Sequence, residues 1–268
     1  MYKYEAVVGP NLLYFQIATA HLYEWVAAHF KALEPGVRPD VTETRGAELR
    51  ITIHDFYGGP YDDEDPVIED TGSAILYMRS DYKLIASSHY CEAEIYVFDE
   101  LAMKHALINL YSAFLIHRRE GLLVHSSCLI QDDKAYMFAG PSGAGKSTVV
   151  ELSYPRPILS DEATYLHVES DGAIRVYDSP FRSDVETPCS VPSCALAGIL
   201  FLNQSPDVYT TPLSKSDAFL TLLDKVFYWK HNRLETANMI WLTKAVVQHA
   251  SAHQLYFQKN ATFWERIS

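Results

Sequence analysis

A chain of 268 residues that is 48% hydrophobic holds enough apolar material for one large core, or for one core and a smaller companion. Its formal net charge of −12 repels nucleic acid and so excludes that class of partner, leaving small molecules, peptides and basic proteins. No basic-then-apolar opening and no uncharged apolar run of membrane-spanning length occurs, so a soluble, cytoplasmic protein without a membrane partner is expected.

The first hundred residues read as a mixed α+β region. Leu22, Trp25, Val26, Phe30 and Leu33 share one helical face over 21–33, ahead of a stop at Glu34-Pro35-Gly36. Strands are expected at 49–53, 73–77 and 93–97, between Gly, Pro, Asp and Ser clusters. The stretch from Tyr61 to Asp70 carries six acids and no base; it reads first as a solvated loop and second as a docking patch for a basic peptide. A long helix is expected over 99–117, with Leu101, Ala106, Leu107, Leu110, Ala113 and Phe114 as its apolar stripe and Glu120-Gly121 as its stop.

Two apolar runs, 122–125 and 126–130, then lead through a turn at Gln131-Asp132-Asp133 into a strand over 134–139, so an antiparallel hairpin enters the next loop. Past that loop and a short helix, Pro155-Arg156-Pro157 breaks the chain. A strand is expected over 158–166 with two carboxylates at its middle, then strands at 173–177 and 195–202. A helix over 217–230 capped by Ser216, a second over 234–250 and a last strand at 254–258 complete the reading. The domains expected are 1–100, an α+β region, and 101–268. The four cysteines (Cys91, Cys128, Cys189, Cys194) are too scattered for zinc or disulfides and are expected to be small buried or half-buried residues.

The most informative stretch is Gly140-Pro141-Ser142-Gly143-Ala144-Gly145-Lys146-Ser147-Thr148, a complete G-x-x-x-x-G-K-[ST] phosphate-binding loop between a strand and a helix. Its glycines let successive backbone N–H groups point at phosphate oxygens. Lys146 neutralises the β/γ-phosphates in this reading, and the Ser147 hydroxyl ligates Mg²⁺. ATP and Mg²⁺ are therefore the expected ligands.

Mg²⁺ wants a carboxylate beside the Ser147 hydroxyl, and Asp161 and Glu162 follow Lys146 at the end of an apolar strand. Strand alternation points one of the two at the phosphates, and Asp161 is the choice, as metal ligand and as acceptor of the attacking hydroxyl's proton. His125 begins the hairpin that leads into the loop, which brings it toward the γ-phosphate end, although a lone histidine is more often structural. Arg182, in the Pro-shaped loop 179–183, can stabilise charge on a transferred phosphoryl group; a surface ion pair is the alternative.

The order Leu123-Val124-His125-Ser126-Ser127, hairpin, phosphate loop, Ile158-Leu159-Ser160-Asp161-Glu162 resembles the HPr serine kinase/phosphorylase family, whose catalytic domain is related to phosphoenolpyruvate carboxykinase. The resemblance covers roughly residues 120–265. It implies an α/β (α+β) fold: a phosphate-loop domain on a mixed sheet, preceded by a smaller α+β region. It also implies that His125, Asp161 and Glu162 lie in an active site, with an acid as base toward a substrate serine, and that homo-oligomers form. Ser179-Pro180-Phe181-Arg182-Ser183 and the helical tail look like the shorter HPr-kinase-like proteins of peptide-modification gene clusters, among them lasso-peptide precursor kinases that phosphorylate a C-terminal serine. The second Gly-rich signature of the bifunctional HPr enzymes is absent, which favours a kinase for another substrate. The expected activity is phosphorylation of a Ser or Thr hydroxyl on a peptide or small protein. A nucleotide-driven peptide-presenting module without transfer and a small-molecule hydroxyl kinase are the other two readings.

Overall fold

A computed structural model describes residues 1–34, 48–183 and 189–267. The chain divides into two units, Met1–His117 with Tyr228–Thr236, and Arg118–Phe227 with Ala237–Ser268. Both combine helices with a mixed sheet, so the class is α+β.

The first unit contains β1 (Tyr2–Val8), β2 (Asn11–Ile17), α1 (Ala20–His29), β3 (Glu48–His54), β4 (Val67–Asp70), β5 (Ala74–Met78), β6 (Tyr82–Ser87), β7 (Glu92–Val97) and most of α2 (Glu100–Arg118). Its seven strands lie in the order β1-β2-β3-β7-β6-β5-β4, with β2–β3 and β3–β7 parallel. Alternation places Leu49, Ile51 and Ile53 of β3, Leu84 and Ala86 of β6, and Ile95 and Val97 of β7 in the interior. Helix α1 ends four residues before the expected limit at Leu33. Beyond Phe30 the backbone turns to β1, where the Val7 amide donates to the Lys31 carbonyl and the Leu33 amide to the Glu5 carbonyl. Pro35 and Gly36 of the expected stop lie outside the described residues. The acidic stretch is largely exposed and contributes the short strand β4.

The division falls after His117 rather than at residue 100, because α2 packs as a core element of the first unit. Met103, Ala106, Leu107, Leu110 and Phe114 are buried, whereas Leu101, in the first turn, is exposed. The Asp99 carboxylate caps the helix through the Ala102 amide. Midway, Asn109 donates to the Tyr82 hydroxyl and accepts from the Trp229 indole, both at 2.7 Å, tying α2 to β6 and to the returning segment 228–236.

The second unit contains β8 (Gly121–Gln131), β9 (Lys134–Ala139), α3 (Lys146–Leu152), β10 (Ile158–Ser160), β11 (Ala163–Val168), β12 (Ile174–Tyr177), β13 (Ser193–Gln204), β14 (Tyr209–Pro212), α4 (Lys215–Leu223), α5 (Arg233–His249, whose first turn belongs to the other unit) and β15 (Ser251–Phe257). A 3₁₀ turn spans Ala261–Arg266. The two expected apolar runs form one strand, β8. Asp132 and Asp133, with φ of 50° and 57°, make the tight turn into antiparallel β9. On its other edge β9 runs parallel to β13. Pairing then passes from β13 through β12 and β11 back to β8, so five strands close on themselves.

Two expected elements differ. The strand over 158–166 is interrupted at Asp161-Glu162, and its register against β8 shifts between Ile158 and Ser160. Helix α4 spans 215–223 and is capped by Ser214, not Ser216; the Ser214 hydroxyl accepts from the Asp217 amide at 3.1 Å. The helix stops well short of Lys230 because the backbone after it bonds the free edge of β8. There the His125 amide donates to the Lys225 carbonyl at 2.7 Å, and the Phe227 amide to the Leu123 carbonyl at 2.9 Å. All four cysteines are free; Cys128 and Cys194 are buried, Cys189 is half-buried, and Cys91, contrary to expectation, is exposed. Among the described residues, no helix is long and apolar enough to cross a membrane.

Asn109→Ala should lower stability by about 1–3 kcal/mol, because it strips partners from a buried hydroxyl and an indole N–H. Urea unfolding measures this, and a wild-type midpoint in the variant would show that these bonds contribute nothing.

Candidate phosphate-binding site

The phosphate loop joins the end of β9 to α3, and its conformation follows from its glycines. Gly143 and Gly145 have φ of 77° and 106°, a region that side chains disfavour. At Gly145 the reason is also spatial: a Cβ there would lie 2.8 Å from the Phe257 ring. At Gly140 a Cβ would meet Ala144 at 2.7 Å, so the loop closes tightly on itself. Behind it, Ala144, Val149 and Val150 pack with Leu129, Phe138, Leu200, Leu202, Leu255 and Phe257 in one buried cluster. The Gln204 side chain, at the end of β13, donates to the Gly143 carbonyl at 2.8 Å.

The Lys146 ammonium folds back over the loop and donates to the carbonyls of Gly140 (3.0 Å) and Pro141 (3.3 Å). Ser147 is exposed in the first turn of α3, and Pro141, Ser142 and Gly143 are exposed as well. The loop therefore presents an open backbone, a half-buried lysine and an exposed hydroxyl. That set fits a polyphosphate and its Mg²⁺.

Four ionisable groups form a cluster at the lysine. Burial, and then the Lys225 charge, push the Lys146 pKa below its ordinary range, while Glu162 opposes them. Burial, followed by Lys146, holds His125 below its ordinary value, with Glu162 opposing and Lys225 adding to the depression. The position of His125 beside the loop follows from the hairpin, because Ser126 faces Ala139 across the β8–β9 ladder. The Phe227 ring stands 5.7 Å from the imidazole. Lys225 was not legible in the sequence, where it reads as one position of an expected helix; the bond of its carbonyl to β8 is what carries it here. It also pairs with Asp224 at 2.6 Å.

Asp161 and Glu162 occupy the break between β10 and β11. Asp161 is buried, and one of its oxygens accepts the Ser183 amide at 3.1 Å. Glu162 is half-buried; it accepts the Ser183 hydroxyl at 3.1 Å, and its charge acts on both His125 and Lys146. Of the two acids, Glu162 is the one whose charge acts on the lysine, whereas Asp161 was the expected choice.

Arg182 is a different residue from the one expected. It is 4% exposed, and its guanidinium donates to the Asp178 carboxylate and to the carbonyls of Ser179, Ile158 and Leu159. It is not a surface ion pair. It fastens the 179–183 loop to β10 and so positions Ser183 against the two acids.

Cavities lie on both sides of the loop. One, of about 580 Å³, is bounded by Gly145, Thr148, Gln204, Phe257 and Lys259. The other, of about 450 Å³, is bounded by Gly140, Pro141, Leu220, Thr221 and Lys225. Among the described residues, no group of three or more His, Cys, Asp or Glu could hold a metal by itself, so a cation here would share its shell with a hydroxyl and phosphate oxygens. No family model matches the chain, and no curated protein is significantly similar to it.

Two outcomes follow from this geometry. A folded-state His125 pKa below its ordinary 6.5 means that the fold accommodates the neutral ring. That contribution is complete above about pH 6.5 and is lost as pH falls through the folded value, since the unfolded chain then binds the extra proton. His125→Gln should flatten the acid limb of urea midpoints recorded between about pH 5 and 8, and Lys146→Met should raise the His125 pKa read by NMR. An unmoved imidazole titration in Lys146→Met would separate the two groups. Arg182→Gln should destabilise the second unit by about 3 kcal/mol, since it takes the guanidinium charge away from the Asp178 carboxylate in a largely buried setting; thermal unfolding checks this, and an unchanged midpoint would remove Arg182 from the positioning role.

Proposed function

We propose that the protein is an ATP- and Mg²⁺-dependent phosphotransferase acting on a Ser or Thr hydroxyl of a peptide or small protein, with a fold of the HPr-kinase type. The observation that carries the reading is the convergence of His125, Glu162 and Lys225 on Lys146 of a complete phosphate loop. A loop that only stored a nucleotide would not need a carboxylate and a neutral imidazole at its lysine.

The loop amides and Lys146 hold the polyphosphate, and the cavity at Gly145, Thr148 and Phe257 receives the nucleoside. The cavity at Gly140, Pro141 and Lys225, on the other side of the loop, receives the acceptor. Ser147 and Glu162 are the residues that would hold Mg²⁺, which supplies charge neutralisation between the terminal phosphates. In the transfer, the acceptor oxygen forms a bond to the terminal phosphorus as the bridging P–O bond to ADP breaks, and the hydroxyl proton passes to a carboxylate. Glu162 takes that proton in preference to Asp161, because it shares its field with Lys146 and His125. Asp161 keeps Ser183 in place. Neutral His125 donates or accepts a hydrogen bond at the terminal phosphate without adding charge. Most of the acceleration is positioning and electrostatics, as phosphoryl transfer allows. The acceptor implied by the resemblance is the C-terminal serine of a precursor peptide.

Incubation with ATP, Mg²⁺ and serine peptides, followed by mass spectrometry, should show the gain of one phosphoryl group with matching ADP. Lys146→Ala should abolish ATP binding in calorimetry. Glu162→Gln should lower kcat about 100-fold, more than Asp161→Asn does. Tight ATP binding without transfer would instead support a nucleotide-driven presenting module, and equal activity of Glu162→Gln and wild type would remove Glu162 as the base.

A further inference from the structure

The acceptor-side cavity does not end at the loop. Leu220, 64% exposed on α4, forms part of its wall and also part of the wall of a neighbouring pocket of about 420 Å³. That pocket lies between α4 and α5 and is lined by Phe219, Val247, Lys215 and Lys244. One track therefore runs from Gly140 and Lys225 along α4 to an apolar pocket on α5. Two adjoining pockets along one helix have the form of a groove for an extended chain.

The chemistry along the track changes with distance from the loop. Near the phosphates it offers Thr221, Asn203 and Gln254, and the Lys225 charge is matched by Asp224. In the outer pocket the walls are apolar, and the charged residues that line it, among those described, are both lysines. Lys215 donates to the carbonyls of Gln248 and Ala250 at the end of α5, which are not carboxylates. Lys244 is exposed one helical turn past the half-exposed Trp241. Two such lysines flanking an apolar pocket favour acidic ligands there, a local preference opposite to the one set by the protein's net charge of −12.

We infer that the acceptor is an acidic, apolar peptide segment lying along α4, with its hydroxyl residue at the Gly140–Lys225 end, a bulky aliphatic or aromatic side chain in the Phe219–Val247 pocket, and carboxylates facing Lys215 and Lys244. This rests on the phosphotransfer reading for the identity of the hydroxyl, while the groove and its preference stand on the walls alone. Continuity with the phosphate loop commits the groove to the acceptor rather than to a second copy of the chain.

The test separates the two. A short fluorescein-labelled peptide containing one serine, one leucine and flanking glutamates is titrated with full-length protein in the absence of ATP, and anisotropy is read. Two counterparts replace the glutamates by lysines or the leucine by serine. The first peptide should bind at least about tenfold more tightly than either counterpart, and Lys244→Glu and Leu220→Asp should each weaken it by about tenfold. Equal affinities for the three peptides, no binding by any of them, or wild-type affinity in both variants would overturn the inference. So would a wild-type dimer in sedimentation that Lys244→Glu converts to monomer, since the face would then be a self-interface. If the acidic peptide binds as expected but gains no phosphate with ATP and Mg²⁺, the groove stands and the phosphotransfer reading falls. If phosphate reaches peptides with no regard to the groove variants, the reverse holds.

Discussion

The Phe257 ring fills the space that any side chain at residue 145 would need, and the site depends on that contact. It fixes Gly145 in a backbone conformation that other residues disfavour, which lets the loop turn into α3. Phe257 is held in turn at the end of β15, among Phe138, Leu255, Phe263 and Trp264, so the loop rests on a packed aromatic floor. Burying that floor stabilises the second unit and sets the loop geometry at once, and a loop without it would lose the open row of amides.

A second constraint is the free edge of β8. Its C-terminal half pairs with β9, which leaves the amides near Leu123 and His125 facing an unfilled edge. The stretch after α4 satisfies them, since a buried strand edge without partners is costly. The consequence is chemical. Lys225 is delivered beside His125, where it adds to the depression of the imidazole pKa that burial and then Lys146 impose.

Much of this was legible in the sequence. The stripe over 99–117, the hairpin at Asp132-Asp133, the helix over 234–250 and the phosphate loop all carry signals that are local, because periodicity, turn chemistry and glycine placement act within one element. The misplacements have local causes too. Ser214 caps α4 because Asp217 stands three residues on, and Ser216 lies inside the first turn. The hairpin of β1 and β2 went unread although Tyr4, Ala6 and Val8 alternate, since the second strand is apolar on nearly every position. Arg182 read as a phosphoryl-stabilising cation or a surface ion pair; two of its partners are the Ile158 and Leu159 carbonyls more than twenty residues earlier, which no local pattern encodes.

Taken by itself, the sequence determined the loop, its strand and helix, the hairpin that brings His125 alongside, the acids that follow and the α+β class. Each rests on backbone geometry that a few adjacent residues dictate. Tertiary structure alone decided that Glu162 shares a field with Lys146, that Lys225 joins them, that Arg182 anchors a loop and that a lysine-flanked groove leads away along α4. Electrostatic coupling and cavity shape depend on distances between segments far apart in the chain, and those distances exist only once the sheets have closed and the core has packed.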